Sequence, residues 1–206
     1  VSHRYGGGRI IRVTAKPVQV FPYKAGEGRP DPYFTGRGLS DEIVRRFGLV
    51  EEDGYAVLPV FVDGVCRSVC RRAIDPAVEP RYQNSRGAMQ LWNSAAMERA
   101  AGKALFVTEG IFDALSLEEL GFPAVALCGA ANTGRLMQAL DTREAKPERV
   151  ILAGDSDAAG QGMNGKLREQ LTARGIACAA LALPGDCKDV NEALVQDRDA
   201  LQAACE

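Results

Sequence analysis

The chain has 206 residues, enough for one large domain or two small ones, and its 46% hydrophobic and 25% charged content is ordinary for a folded globular protein. No run of about 18 apolar residues exists, which excludes a membrane-spanning helix, and no charged-then-apolar leader opens the chain, so secretion is not indicated. The net charge of −2 divides unevenly, with 15 Lys and Arg against 11 Asp and Glu in residues 1–100 and 10 against 16 in residues 101–206. A basic half suited to anions and an acidic half with carboxylates for cations is one reading; two solvated surfaces is the other. The six cysteines, at 66, 70, 128, 178, 187 and 205, are too dispersed for a disulfide scaffold and point to a reducing, cytoplasmic setting.

Residues 1–32 read as a Gly- and Pro-rich tail and linker with one short strand at Ile10–Val13. A helix is predicted over Ser40–Phe47, with Ser40 as N-cap, Asp41 and Glu42 in the first turn and Gly48 just past the end. Two apolar runs, Tyr55–Val62 and Val65–Arg71, joined by Asp63-Gly64, predict a β-hairpin. Cys66 and Cys70 share one face of the second strand and lack two further ligands, so they read as core and not as a zinc site. Residues 75–90 read as loop.

After about residue 99 the pattern changes. Strands are predicted at Ala104–Thr108, Pro123–Leu127, Arg149–Ala153 and Ile176–Leu183. They alternate with helices at Phe112–Leu120, Thr133–Leu140, Ala159–Arg174 and Val190–Val195, the last of these taken as the final helix. Alternation of this kind implies an α/β fold with a mostly parallel sheet and helices on both faces. It would be preceded by a smaller α+β basic subdomain, giving boundaries of 1–32, 33–98 and 99–206.

In open parallel sheets ligands bind beyond the C-terminal strand ends. Glu109 directly follows the first of these strands, and Asp113 lies in the first turn of the next helix. Asp155 and Asp157 follow the third strand and flank Ser156, so an extended segment would point both the same way. Asp186 and Asp189 follow the fourth. So many carboxylates at one edge would repel one another, and a divalent cation relieves that repulsion. Oxygen-only donors with no nearby His favour magnesium or manganese over zinc.

The segments Thr108-Glu109-Gly110-Ile111-Phe112-Asp113-Ala114 and Gly154-Asp155-Ser156-Asp157-Ala158-Ala159-Gly160 resemble the TOPRIM domain shared by bacterial-type primases, topoisomerases and some nucleases. The basic half resembles primases within that group. Tyr33-Phe34-Thr35-Gly36-Arg37-Gly38-Leu39-Ser40 is similar to the opening of the primase RNA polymerase core, and the hairpin Leu58–Ile74 to its following strands. Pro80-Arg81-Tyr82-Gln83-Asn84-Ser85 is similar to the basic-Tyr-x-Asn segment before the primase TOPRIM module. Cys187-Lys188-Asp189-Val190-Asn191-Glu192 looks like phage and mitochondrial primase-helicases. Two positions depart from the pattern: Arg81 stands where Lys is frequent, and Asn93 where free-standing primases place a second Lys.

The resemblance implies a DNA primase core, a DNA-directed RNA polymerase that makes RNA primers on single-stranded DNA by metal-dependent nucleotidyl transfer. Glu109, Asp113, Asp155, Asp157 and Asp189 would hold Mg2+ or Mn2+. Asp155, Asp157 and Glu109 would be catalytic, Glu109 either as a further ligand or as the group that manages the hydroxyl proton. Arg67, Arg71, Arg72, Arg81, Tyr82, Asn84 and Lys188 would contact nucleotide or template, although Arg67 and Arg71 share a strand face opposite to that of Arg72. Nucleoside triphosphates, a single-stranded template, a replicative helicase and a zinc-binding module are the implied partners. The zinc module is not visible in this sequence, so a catalytic fragment or a reduced phage or mobile-element protein is expected. A TOPRIM nuclease and a non-catalytic nucleotide- or single-strand-binding module are the alternatives.

Overall fold

The computed structural model describes residues 32–85, 89–129, 132–155 and 157–206. The expected strand Ile10–Val13 and nearly all of the expected linker lie outside them. Helix α1 covers Pro32–Gly36 and α2 Asp41–Phe47. As the sequence predicts, the Ser40 side chain accepts from the Ile43 N–H, and Gly48 closes α2 in the left-handed region at φ 63°.

An antiparallel sheet follows in the order β1-β2-β3-β4, from β1 (Val50–Glu52), β2 (Tyr55–Val62), β3 (Val65–Ala73) and β4 (Tyr82–Asn84). The β2–β3 turn is the expected Asp63-Gly64, with φ of 51° and 73°, the double positive φ that such two-residue turns demand. Asp53-Gly54 makes the same turn between β1 and β2.

The chain then enters α3 (Ala96–Arg99), β5 (Ala104–Thr108), α4 (Ile111–Glu119), β6 (Ala124–Ala126), α5 (Thr133–Asp141), β7 (Arg149–Ala153), α6 (Ala158–Thr172), β8 (Ala177–Ala180), α7 (Val190–Gln196) and α8 (Arg198–Cys205). The four strands β6-β5-β7-β8 form a parallel sheet in that order. Alternate residues of β5 feed two cores. Leu105 and Val107 pack with Leu136, Leu140, Leu167 and Leu171 from α5 and α6. Phe106 joins Leu115 of α4, Leu194 of α7 and Leu58 and Val60 of β2. The antiparallel sheet therefore shares a core with one face of the parallel sheet. Trp92 seals the joint: it is buried, its Nε1 donates to the Pro59 carbonyl (3.2 Å), and its backbone bridges to Ala126.

Helix α1 stands where extended chain was expected, the short elements β1, β4 and α3 were not expected, α8 follows the helix taken as final, and β8 is shorter than the expected Ile176–Leu183. Among the described residues no helix is long and apolar enough to cross a membrane.

One buried carboxylate ties these layers together. Glu118 of α4 has a side chain only 2% exposed and pairs with Arg46 of α2 (3.0 Å) and with Arg99 of α3. It also accepts from Asn93 Nδ2 (2.7 Å) and from the Ala124 N–H at the start of β6 (3.0 Å). Removing it leaves the Ala124 N–H without its acceptor and takes a partner from two guanidinium groups that are themselves about 40% exposed. Glu118→Ala is expected to lower the unfolding free energy by about 2 kcal/mol in urea titration; a loss under about 0.5 kcal/mol would show that the hub is dispensable.

Candidate functional site

Two neighbouring strands of the parallel sheet, β5 and β7, are followed by acids. Glu109 follows β5 and Asp155 follows β7, while Asp113 sits in the first turn of α4 and Asp189 caps α7. These four line one cavity of about 420 Å³. A Cβ at Gly110, in the turn into α4, would lie 2.9 Å from Asp113 Oδ2, so a larger residue there would displace that carboxylate. Asp113 is buried and accepts the Asn191 backbone N–H at Oδ1 (3.1 Å). Burial first, then the neighbouring carboxylate of Asp189, push its pKa up to about 7; the Asn191 N–H acts in the opposite sense, and Asp155 raises it further. Asp155 is also held above the usual carboxylate range, by burial and then by Asp189, Glu109 and Asp157.

The fifth expected ligand is placed differently. Asp157 is the N-cap of α6, where its Oδ1 accepts the Gly160 N–H (2.9 Å), and it does not line the cavity. Asp189 lines the cavity but spends Oδ1 on the Glu192 N–H (2.7 Å). Among the described residues no three His, Cys, Asp or Glu side chains converge closely enough to enclose a metal. The donor chemistry nevertheless fits a hard divalent cation: four oxygen-only groups on one cavity, two of them with a raised proton affinity that a cation would relieve.

A cationic and aromatic wall lines the same cavity. Arg72 of β3 lies over the Tyr82 ring (5.3 Å) and the Phe112 ring (5.2 Å), and its Nη1 donates to the Tyr82 hydroxyl (2.8 Å). Its Nε is buried without a hydrogen-bond partner. Arg37 lies over Tyr33 (5.3 Å) and Phe112 (5.0 Å). Asn84 also lines the cavity, and Leu58, Cys70, Met89, Ile111 and Cys128 give it an apolar floor. Burial raises the thiol pKa of Cys70 to about 11 and of Cys128 to about 12, so both are unreactive floor groups.

Of the expected contact residues, Arg72, Tyr82 and Asn84 line the cavity, whereas Arg67, Arg71, Arg81 and Lys188 do not. The alternation of β3 explains the division. Arg72 shares its face with Ser68 and Cys70, and Arg71 turns to the other side, over the Tyr55 ring (4.7 Å). Asn93, where a second Lys was expected, adopts φ 57° and donates to Glu118 and to the Ala124 carbonyl, away from the cavity. Arg37 and Asn191 were not singled out as site residues. Their signal in the sequence was membership of the primase-like segments Tyr33–Ser40 and Cys187–Glu192.

Residues 106–194 match the family described as Toprim-like. A DNA primase from Myxococcus xanthus is 36% identical over 121 residues, 53% of this chain but 20% of that protein, so the match spans about a fifth of the relative's length. Among solved structures, the primase fragment of the bacteriophage T7 primase-helicase protein aligns with a TM-score of 0.64 at 26% identity, covering 81% of this chain and 70% of that one. A DnaG primase catalytic domain bound to single-stranded DNA aligns with a TM-score of 0.62 at 21% identity, covering 84% and 71%. A DNA primase domain from Pseudomonas aeruginosa gives 0.62 at 20%, covering 84% and 69%.

The loop that carries Asp155 packs directly on α6. A Cβ at Gly160 would lie 2.2 Å from the Asp155 carbonyl oxygen, whereas one at Gly162, two residues on, meets nothing within 4 Å. Gly160→Ala is expected to cost roughly 2 kcal/mol or more, because backbone must move. Gly162→Ala is expected to be neutral or to gain up to about 1 kcal/mol through helix propensity. Thermal unfolding of the two variants checks the contrast, and equal effects would contradict it.

Proposed function

The chain carries a TOPRIM-like domain in a primase-type core fold, and from that premise we propose that it is a DNA primase core that joins ribonucleotides on a single-stranded DNA template. The observation that carries this reading is the mixed lining of one cavity: four carboxylates together with the Arg37 and Arg72 guanidiniums. Acids alone would suit any metal-assisted phosphoryl chemistry. Cationic groups in the same cavity suit a substrate that is itself polyanionic, a nucleoside triphosphate.

In this reading Asp113, Asp155 and Asp189 hold Mg2+ or Mn2+, and Glu109 is a further ligand or accepts the proton of the attacking 3′-hydroxyl. A cation bound there would stabilise charge on the phosphate oxygens. Asp157 fixes the start of α6 and thereby the Asp155 loop, and it enters the ligand set only if its cap bond opens. Arg72 offers its guanidinium charge to a phosphate, Arg37 a second cation, and Tyr82 at the rim a face for a base. Arg67, Arg71, Arg81 and Lys188 lie outside the cavity and would meet template, not the incoming nucleotide. Residues 33–98 would form the basic subdomain and residues 99–206 the TOPRIM domain. The chain would work in the cytoplasm beside a replicative helicase and a zinc-binding module.

Incubation with single-stranded template, labelled ribonucleotides and magnesium is expected to yield oligoribonucleotides. Asp155→Asn should reduce them at least about a hundredfold with no loss of thermal stability, since it removes one of several like charges. Degraded template would instead indicate a nuclease, and template binding with neither product a non-catalytic module; either result contradicts the proposal.

A further inference from the structure

Arg37 reaches the cavity from a short turn, and a long side chain there has many rotamers unless something fixes it. Asn191, at the second position of α7, is 2% exposed and has every polar group engaged. Its Oδ1 accepts from Arg37 Nη1 (2.8 Å), and its Nδ2 donates to the Arg37 carbonyl (2.9 Å) and to Ser116 Oγ (2.9 Å). Its backbone N–H is the donor to Asp113 Oδ1 (3.1 Å). One residue thus grips both ends of Arg37 and one carboxylate of the acidic wall.

The chemistry of the grip matters. The other partner of the guanidinium is the Tyr33 hydroxyl (3.1 Å), so both acceptors are neutral, and among the described residues Arg37 makes no ion pair. A carboxylate at position 191 would hold the same nitrogen but would neutralise its charge. A carboxamide fixes the direction and leaves the charge for an anion. α7 also packs on the turn itself, since a Cβ at Gly38 would lie 3.1 Å from Leu194 Cδ2. The geometry points to Asn191 as a positioning residue that aims the Arg37 guanidinium at the phosphates of a nucleoside triphosphate and ties it to the Asp113 side of the cavity. This rests on the proposed primase reading and adds the device that keeps its second cation available.

Calorimetric titration of the chain with ATP in the presence of magnesium tests it. Asn191→Ala and Arg37→Ala should each weaken ATP binding about tenfold, the scale of one hydrogen bond to a charged group. The double variant should bind no more weakly than Arg37→Ala alone, because Asn191 acts through Arg37. Asn191→Asp, nearly isosteric and so the variant of choice if Asn191→Ala does not fold, should also bind more weakly although it keeps an acceptor for Arg37. Unaltered ATP affinity in a folded Asn191 variant, or losses that add in the double variant, would overturn the assignment. Absence of ATP binding by the unsubstituted chain would overturn the primase reading itself, and this inference with it.

Discussion

Bringing Glu109, Asp113, Asp155 and Asp189 to one cavity costs free energy, because carboxylates that share a partly dry space disfavour one another's ionised form. The cost is visible at Asp113, where burial and Asp189 raise the pKa to about 7, and at Asp155, which Asp189, Glu109 and Asp157 raise beyond the effect of burial. Neutral hydrogen-bond donors offset part of it. The Asn191 N–H serves Asp113, and the first turn of α7 serves Asp189. What remains is an electrostatic demand for positive charge, and neither Arg37 nor Arg72, which line the same cavity, is paired with these acids.

The rest of the fold delivers those acids and arginines to one place. The parallel sheet ends its strands β5 and β7 at the acids, and the antiparallel sheet packs on one face of it through Leu58, Val60, Trp92 and Phe106. That shared core brings Arg72 of β3 over Phe112, the residue next to Asp113 in α4. Glu118, lower on the same helix, anchors α2, α3 and β6 around it. Rigid packing on both faces of α4 is what lets a short first turn carry both Phe112 and Asp113.

Long elements with clear periodicity were legible in the sequence. The α2 caps, the Asp63-Gly64 hairpin and the strands Ala104–Thr108 and Arg149–Ala153 agree with the structure because local chemistry alone specifies them. Three-residue strands leave no period to read: Asp53-Gly54 carries the same turn signal as Asp63-Gly64, but β1 supplies only Val50–Glu52 before it. α8 buries just Leu201 and Cys205, too few to mark a face. At the site, the acids were legible because strand ends predict where ligands go. The partition among the arginines followed from alternation once β3 extended through Arg72. Asp157 as a cap is a local contact, three residues from Gly160, of the kind an Asp just before a helix signals; Asn191 as the grip on Arg37 instead depends on contact between distant segments, 154 residues apart. Local spacing does not encode such contacts.

Anomalous diffraction from crystals soaked in manganese tests the central claim, that these carboxylates form a divalent-cation site, most directly. The account predicts a peak inside the cavity in contact with Asp113 and at least one of Asp155 and Asp189, abolished by Asp113→Asn. Manganese bound elsewhere on the chain while that cavity shows no peak would contradict it.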